Sequence, residues 1–204
     1  QAGLVPRLRE NTNLIVIRIR PGESPIERLA ARMVAAQTGE TGSRSIRETM
    51  EDQSLSTSAD LTDVDAKQNE IDRFAEKIRE NPNKVALGLT TLAQQRQGRV
   101  LLLVDQLEEL FTLCRDPQEQ ALFMEAVASA ADDASEPVRV LCTVRDDFLG
   151  HVARVGDTAG SILEHVMILG PPEPVALKEI LTRPLVRTGY GFDDPKLPDE
   201  MVAA

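Results

Sequence analysis

The sequence is poor in aromatic residues, with no tryptophan, one tyrosine and five phenylalanines among 204 residues. A core of this composition must be built mainly from Leu, Val, Ile and Ala. The hydrophobic content of 42% and the charged content of 27% are those of a globular protein and exclude an intrinsically disordered chain. The length is that of one ordinary domain, or of one domain and the start of another.

Cysteine is scarce as well. The two cysteines, Cys114 and Cys142, form no CxxC pair and have no clustered histidines beside them. Because a structural zinc ion needs four ligands at suitable spacing, the sequence excludes a zinc site. Both cysteines lie in apolar stretches, which predicts buried free thiols in a reducing cytoplasm.

Long hydrophobic runs are missing. No apolar run approaches the ~20 residues of a membrane helix, and the longest, Val100–Val104, ends at Asp105. No signal peptide, with a charged start and an apolar middle, opens the chain. We therefore expect a cytoplasmic protein without a membrane partner.

Basic residues are in deficit, with 23 Lys and Arg against 33 Asp and Glu and a net charge of -10. Nucleic-acid binding without sequence preference needs clustered Lys and Arg, because these side chains displace counterions from phosphates. The charge balance therefore argues against nucleic acid as a partner, although it leaves room for a local basic patch.

A phosphate-binding P-loop is also absent from the sequence. That motif, G-x-x-x-x-G-K-[ST], requires a glycine followed by lysine, and none of the 12 glycines is followed by lysine. The segment Gly39–Arg44 has glycine spacing and a terminal cation, but it follows a predicted helix rather than a strand. We interpret it as a flexible turn.

What is present is an alternation of strand and helix patterns. Such an alternation with short connections predicts an α/β fold with an open parallel sheet flanked by helices. Residues 38–65 break the pattern and are interpreted as a loop with a short helix near 46–50. Ser24 and Glu27 form the pattern of a capping box at the first helix. The predicted strands are 14–19, 100–104, 138–144 and, more weakly, 166–169, and the predicted helices are 25–36, 65–80, 83–97, 117–131, 174–182, 184–188 and one from about 198.

The chemistry is expected at the carboxyl ends of the strands, where open parallel sheets bind ligands. Asp105 follows an apolar strand, which is the Walker B arrangement, in which a carboxylate at the rim of the sheet can hold Mg²⁺. Glu108 and Glu109 follow closely enough for one of them to orient an attacking water. Arg145, at the end of the next predicted strand, could meet a γ-phosphate.

Each of these residues has an alternative interpretation. Asp105 could simply cap the following helix, and the Glu108–Glu109 pair could lie on a solvated helix face. Arg145 could form a surface ion pair with one of the aspartates that follow it, and such pairs contribute little. Asp146 and Asp147 themselves are interpreted as the start of a helix.

Five segments stand out in order across nearly the whole chain: Ala2–Leu8, Arg20–Gly22, Val104–Thr112, Val144–Gly150 and Leu169–Pro171. The D-Q-x-E-E-L-F and R-x-D-F-L-G blocks within them are quite specific. Together the segments resemble the novel STAND NTPase family of bacterial signal-transduction ATPases.

The resemblance implies roles for particular residues. Asp105 matches the Walker B magnesium ligand, and Arg145 resembles the sensor arginine that faces the γ-phosphate. The turn Gly170-Pro171-Pro172 is similar to one that packs on adenine. Gln106 departs from the commonest ATPase pattern, in which glutamate follows the aspartate, so the general base is open between Glu108 and Glu109, or hydrolysis is slow.

The resemblance also implies the architecture and the partners. The Walker A lysine and its strand, usually central in the sheet, would lie upstream of Gln1, which predicts an excised piece with a gap in its sheet. Residues 1–172 would form the NTPase core and 173–204 the start of a truncated helical lid. The intact protein would bind ATP or ADP with Mg²⁺, carry fused effector and sensor domains, and form a homo-oligomer.

Two other functions are compatible with the sequence. The chain could be a non-catalytic interaction and oligomerisation scaffold that keeps the NTPase fold. It could also be a DNA-handling ATPase of the initiator type, although the net charge opposes that interpretation.

Overall fold

The computed structural model describes residues 13–39, 58–131, 135–155 and 162–203. Three strands and eight α-helices lie in these ranges, together with one 3-10 turn over Asp146–Phe148. The strands are β1 (Leu14–Ile19), β2 (Arg99–Val104) and β3 (Val138–Cys142). The helices are α1 (Pro25–Thr38), α2 (Ser58–Glu80), α3 (Lys84–Gln95), α4 (Glu109–Thr112), α5 (Pro117–Ala131), α6 (Leu149–Val152), α7 (Pro174–Thr188) and α8 (Leu197–Ala203).

The three strands form one open parallel sheet in the order β1-β2-β3, which confirms the predicted fold class. Ile19 pairs with Val104, and Val104 pairs with Cys142, so all three strands end at the same edge. The middle strand is buried from Val100 to Val104, as its continuous apolar run predicts. These strands are direct neighbours, so the described sheet does not have the predicted gap, and a further strand would join at an outer edge.

One face of the sheet is covered by α1, α3 and α5, which also pack on one another, and α2 packs on these three helices. Every second residue of each strand points into this layer, because side chains alternate between the two faces of a strand. The result is a core in which Leu102 and Phe123 are fully buried. The sheet residues in the core are Ile17, Ile19, Val100, Leu102, Val104 and Val138.

The opposite face carries the alternate residues of each strand. Leu101 and Leu103 are buried there, and Leu103 is in register with Arg18 of β1. The same alternation puts Asp105, two residues beyond Leu103, on this second face. The fold therefore places a charged cluster at the carboxyl edge of the second face.

Several predicted helices have different bounds in the structure. The second helix begins at Ser58 rather than at residue 65, so the last part of the predicted loop is helical. The two helices predicted around Pro184 are one helix, α7. Pro184 has no N–H to donate to the carbonyl of Ile180, four residues earlier. Both residues are exposed, so water can donate to this carbonyl instead. The short helix predicted near 46–50 lies outside the described residues.

Three further local predictions were wrong. Residues 166–169 form no strand and pair with none of the three described strands. The third strand ends at Cys142 rather than at residue 144. The side chain of Ser24 makes no capping hydrogen bond, and its carbonyl instead accepts the N–H of Arg28 at 3.1 Å.

The chain divides into two compact units, 1–166 and 167–204. In the second unit α7 packs on α8, and Lys178 Nζ lies 2.5 Å from Asp199 Oδ1. The domain boundary after residue 172 and the identity of 173–204 as a helical lid stay predictions. Within the described ranges, no helix has both the length and the apolar character needed to cross a membrane.

Both cysteines are free thiols. Cys114 is buried and Cys142 is half-buried, so the predicted burial is complete only for Cys114. Burial raises the pKa of the Cys114 thiol and raises the pKa of Cys142 to about 12. Because thiolates rather than thiols react, neither side chain is suited to nucleophilic chemistry near neutral pH.

Candidate functional site

Asp105 lies at the carboxyl edge of the middle strand, directly after Val104. Its backbone N–H continues the ladder by donating to the carbonyl of Ile19 at 2.8 Å. The residue is 6% exposed, and it is the single charged or polar residue that is buried in the described part of the chain. A carboxylate in this position must be compensated, because an unpaired buried charge is strongly destabilising.

The compensation comes from both neighbouring strands. Arg18 Nη2 donates to Asp105 Oδ2 at 2.6 Å, and Arg20 Nε donates to the same oxygen at 3.4 Å. From the side of β3, Thr143 Oγ1 donates to Asp105 Oδ1 at 3.0 Å. The carboxylate is thus held between two guanidinium groups and a hydroxyl group at the rim of the sheet.

A tight turn leads away from Asp105 through Gln106, which has a left-handed backbone with φ 57°. The N–H of Gln106 donates to Thr143 Oγ1 at 3.0 Å, and the N–H of Leu107 donates to the Thr143 carbonyl at 2.8 Å. The next helix begins only at Glu109, with Glu108 as its N-cap residue. Asp105 therefore does not cap this helix, and that alternative interpretation was wrong.

The left-handed turn at Gln106 yields a stability prediction. We expect Gln106→Val to lower the free energy of unfolding by about 1–2 kcal/mol, because a β-branched residue is strained at positive φ. Gln106→Asn is the matched control and should change it by less than about 0.5 kcal/mol, since asparagine tolerates this conformation. Urea unfolding of the two variants measures the difference, and equal losses would show that the turn is not strained.

Glu108 and Glu109 follow the turn and are both half-buried. Glu108 Oε2 is shielded from solvent and has no hydrogen-bond partner in the described residues. A solvated helix face does not account for this oxygen, although the rest of the side chain is partly exposed. A buried acceptor without a partner needs an explanation, and a bound cation or water is one of the few available.

Arg145 follows the end of β3, and its guanidinium forms a fork with Asp147. The Nε–Oδ1 distance is 3.1 Å and the Nη2–Oδ2 distance is 2.8 Å, with both side chains more than half exposed. The guanidinium also lies over the ring of Phe148, 5.7 Å from its centroid. The surface ion pair of the alternative interpretation is thus present, and a role as a sensor arginine stays a prediction. Asp146 starts a 3-10 turn, as predicted.

An aromatic cluster connects the two segments that follow β2 and β3. The rings of Phe111 and Phe148 stack with centroids 6.4 Å apart, and the His151 ring lies 5.7 Å and 5.3 Å from them. Phe111 belongs to α4 and His151 to α6. These contacts couple the helix after the glutamates to the turn that carries Arg145.

Gly170, Pro171 and Pro172 belong to the unit 167–204 and are exposed. A Cβ atom added at Gly170 would meet no atom within 4 Å. Their role in packing on adenine stays a prediction.

Sequence reasoning missed Arg18 and Thr143 as partners of Asp105. Arg20 was identified only as part of the segment Arg20–Gly22, and no contact with Asp105 was predicted for it. The alternation of Arg18 and Arg20 with isoleucines in β1 was a usable signal, because it places both arginines on one face at the end of a strand. Thr143 gave no such signal, since threonine is common in strands.

The residues present fit Mg²⁺, which prefers oxygen ligands and is usually held by one or two carboxylates together with substrate phosphates. Asp105 supplies a carboxylate and Glu108 the buried oxygen without a partner. In the described ranges, no three His, Cys, Asp or Glu side chains are grouped to hold a metal by themselves. Asp105 is therefore the described residue that would hold the cation, with water molecules in the remaining positions.

A parallel sheet whose middle strand ends in a buried aspartate has the Walker B geometry of P-loop NTPases. The model of the family Novel STAND NTPase 1 matches residues 1–204, so the chain belongs to the novel STAND NTPase family. The resemblance seen in the sequence is thereby confirmed. No curated protein and no solved structure is similar enough to match the chain.

Proposed function

We propose that this chain is the nucleotide-binding core of a STAND-type ATP-hydrolysing signalling switch. The observation that carries the proposal is the position of Asp105, which is buried at the end of the middle strand of a parallel sheet. The family match supports it. The reaction is the attack of water on the γ-phosphate of ATP, with ADP and phosphate as products.

Each residue of the site has a proposed role. Asp105 holds Mg²⁺, and Thr143 fixes the orientation of its carboxylate through the 3.0 Å hydrogen bond. When bound, Mg²⁺ offsets the negative charge of the phosphates. Of the two glutamates, Glu108 is the stronger candidate to orient the attacking water, because its Oε2 is buried without a partner in the described residues. Glu109 is the alternative.

Arg145 is proposed to contact the γ-phosphate. In the structure, its guanidinium is held by Asp147 and by the Phe148 ring. Both side chains of the ion pair are more than half exposed, so the pair is weak and can be exchanged for a phosphate. Gly170, Pro171 and Pro172 are proposed to pack on adenine.

Phosphate binding itself needs residues that the 204 residues do not contain. The resemblance of Ala2–Leu8 to the segment that follows Walker A leads us to propose that the P-loop and its strand precede this chain in the natural polypeptide. Fused effector and sensor domains, a cytoplasmic location and self-association in the ATP state complete the proposal. ATP and ADP would then shift the population between an open and a closed state.

Thermal unfolding with and without millimolar MgATP or MgADP tests nucleotide binding. A ligand at about 100 times its dissociation constant adds roughly 2.7 kcal/mol of stability, which raises the Tm of a domain of this size by about 5–10 °C. We expect no shift for residues 1–204 alone, and a shift of this size for a longer form with the P-loop. The absence of a shift in the longer form would contradict nucleotide binding. A shift in the 204-residue chain would contradict the need for an upstream P-loop.

The second candidate is an interaction scaffold that keeps the fold without catalysis. It is favoured by the contacts of Arg18 and Arg20 with Asp105, which already neutralise the carboxylate that Mg²⁺ would need. A longer form that binds ATP without hydrolysing it would support the scaffold over the switch.

A further inference from the structure

We propose that Arg18 is a replaceable counter-ion of Asp105, which occupies this carboxylate in the metal-free protein and is displaced when a divalent cation binds. The inference rests on the proposed function, because it takes Asp105 as the metal ligand. It assigns to Arg18 the control of access to the metal site.

Of the two arginines that contact Asp105 Oδ2, Arg18 is the nearer. Its Nη2 lies 2.6 Å from Oδ2, whereas Arg20 Nε lies 3.4 Å from the same oxygen. Arg18 is in register with Leu103, two residues before Asp105, so the β1–β2 pairing fixes the base of its side chain beside the carboxylate. The contact therefore follows from the strand register rather than from a surface loop.

The two side chains of the pair differ in exposure. The Asp105 side chain is 8% exposed, while the Arg18 side chain is 51% exposed. A buried carboxylate cannot turn towards water, but a half-exposed arginine can rotate outwards around its long, flexible stem. Displacement would thus move Arg18 and leave Asp105 in place.

A divalent cation and Arg18 compete for the same small space. Mg²⁺ binds oxygen at about 2.0–2.1 Å, which would put it beside a guanidinium nitrogen that already contacts Oδ2. Two positive groups at that separation repel strongly, and the repulsion grows where water is excluded. A cation that binds Oδ2 therefore displaces the Arg18 contact.

The exchange has a use in both states. Without metal, Arg18 removes the penalty of an uncompensated buried carboxylate, and the fold remains intact. The apparent affinity for the metal is the intrinsic affinity multiplied by the fraction of molecules in which the carboxylate is released from Arg18. This sets a threshold for metal binding to which Arg18, as the nearer of the two arginines at Oδ2, contributes most.

The test is a titration of the 204-residue chain with Mn²⁺ alone, followed by electron paramagnetic resonance of the free ion. If Arg18 is engaged about 90% of the time, Arg18→Gln should bind Mn²⁺ about tenfold more tightly than the natural sequence. Arg18→Lys should restore the weaker binding, because it keeps a cation in place. Arg99→Gln is the matched control, since Arg99 lies at the opposite end of the sheet, and it should leave the affinity unchanged.

The outcomes separate the inference from the proposed function. Equal or weaker Mn²⁺ binding by Arg18→Gln, or no detectable binding, would overturn the inference. Asp105→Asn should lose Mn²⁺ binding, and retention of full affinity in that variant would instead overturn the assignment of Asp105 as the metal ligand. Loss of binding in Asp105→Asn together with no gain in Arg18→Gln leaves the metal site standing and removes the role of Arg18.

A second measurement does not depend on whether the variants fold. In the natural sequence labelled with ¹⁵N, addition of Mg²⁺ should shift the side-chain Nε signal of Arg18, while that of Arg99 stays in place. A signal of Arg18 that does not respond at a Mg²⁺ concentration that saturates the site would contradict displacement.

Discussion

Replacement of Leu102 by alanine is expected to lower the free energy of unfolding by about 3 kcal/mol, within the range of 2–5 kcal/mol seen for such core truncations. Leu102 is fully buried in the middle strand, with a neighbouring strand on each side. Truncation removes apolar contacts and leaves a cavity that the close-packed layer of helices cannot fill. The loss is large because stabilities of whole domains are about 5–15 kcal/mol.

The chain offers a matched control in Leu87, which lies on α3 and is 60% exposed. Leu87→Ala makes the same chemical change but leaves no cavity, so it should alter the free energy of unfolding by less than about 0.5 kcal/mol. Urea unfolding followed by circular dichroism gives both values. A loss at Leu87 as large as the loss at Leu102 would contradict the described core.

The sheet was predictable because its signals are local and repeat along the chain. The apolar run of β2 and the β-branched residues of β1 indicated strands, and the structure shows both. The segment 166–169 is similarly apolar but forms no strand. Strand formation also needs a pairing partner, which composition does not specify. The predicted break of the helix at Pro184 was wrong for a related reason. A helix tolerates a proline where the carbonyl that loses its hydrogen bond faces water.

The site was predictable in part. The position of Asp105 followed from one apolar run, because the end of a parallel strand locates the ligand edge. Its partners did not follow, since the contacts of Asp105 with Arg18 and Thr143 depend on strand order and register. The burial of Glu108 Oε2 likewise depends on the turn at Gln106. The positive φ of this residue could not be predicted, because glutamine, unlike glycine, does not indicate a left-handed backbone.

Asp105→Asn is expected to have the largest effect on activity. The amide has nearly the size of the carboxylate. Its oxygen can still accept a hydrogen bond from Arg18, and its NH2 group can donate to Thr143 Oγ1, so the fold should persist. It carries no charge, however, and cannot hold Mg²⁺ as a carboxylate does. If this charge contributes several kcal/mol to the transition state, hydrolysis should fall at least about 100-fold, which corresponds to about 2.7 kcal/mol.

Glu125→Gln is the matched control for this variant. Glu125 is exposed on α5 and the substitution removes the same single charge, so hydrolysis should stay within about twofold of the natural rate. A fall in both variants would trace the effect to net charge rather than to the site.

The most direct measurement is the turnover of ATP as a function of Mg²⁺ concentration, for the natural sequence and Asp105→Asn in a longer form that carries the P-loop. We expect hydrolysis that saturates with Mg²⁺ in the natural sequence and is lost in Asp105→Asn at every concentration, while Glu125→Gln behaves as the natural sequence does. Unchanged turnover and unchanged Mg²⁺ dependence in Asp105→Asn would show that the buried aspartate at the end of β2 is not the metal ligand of the reaction.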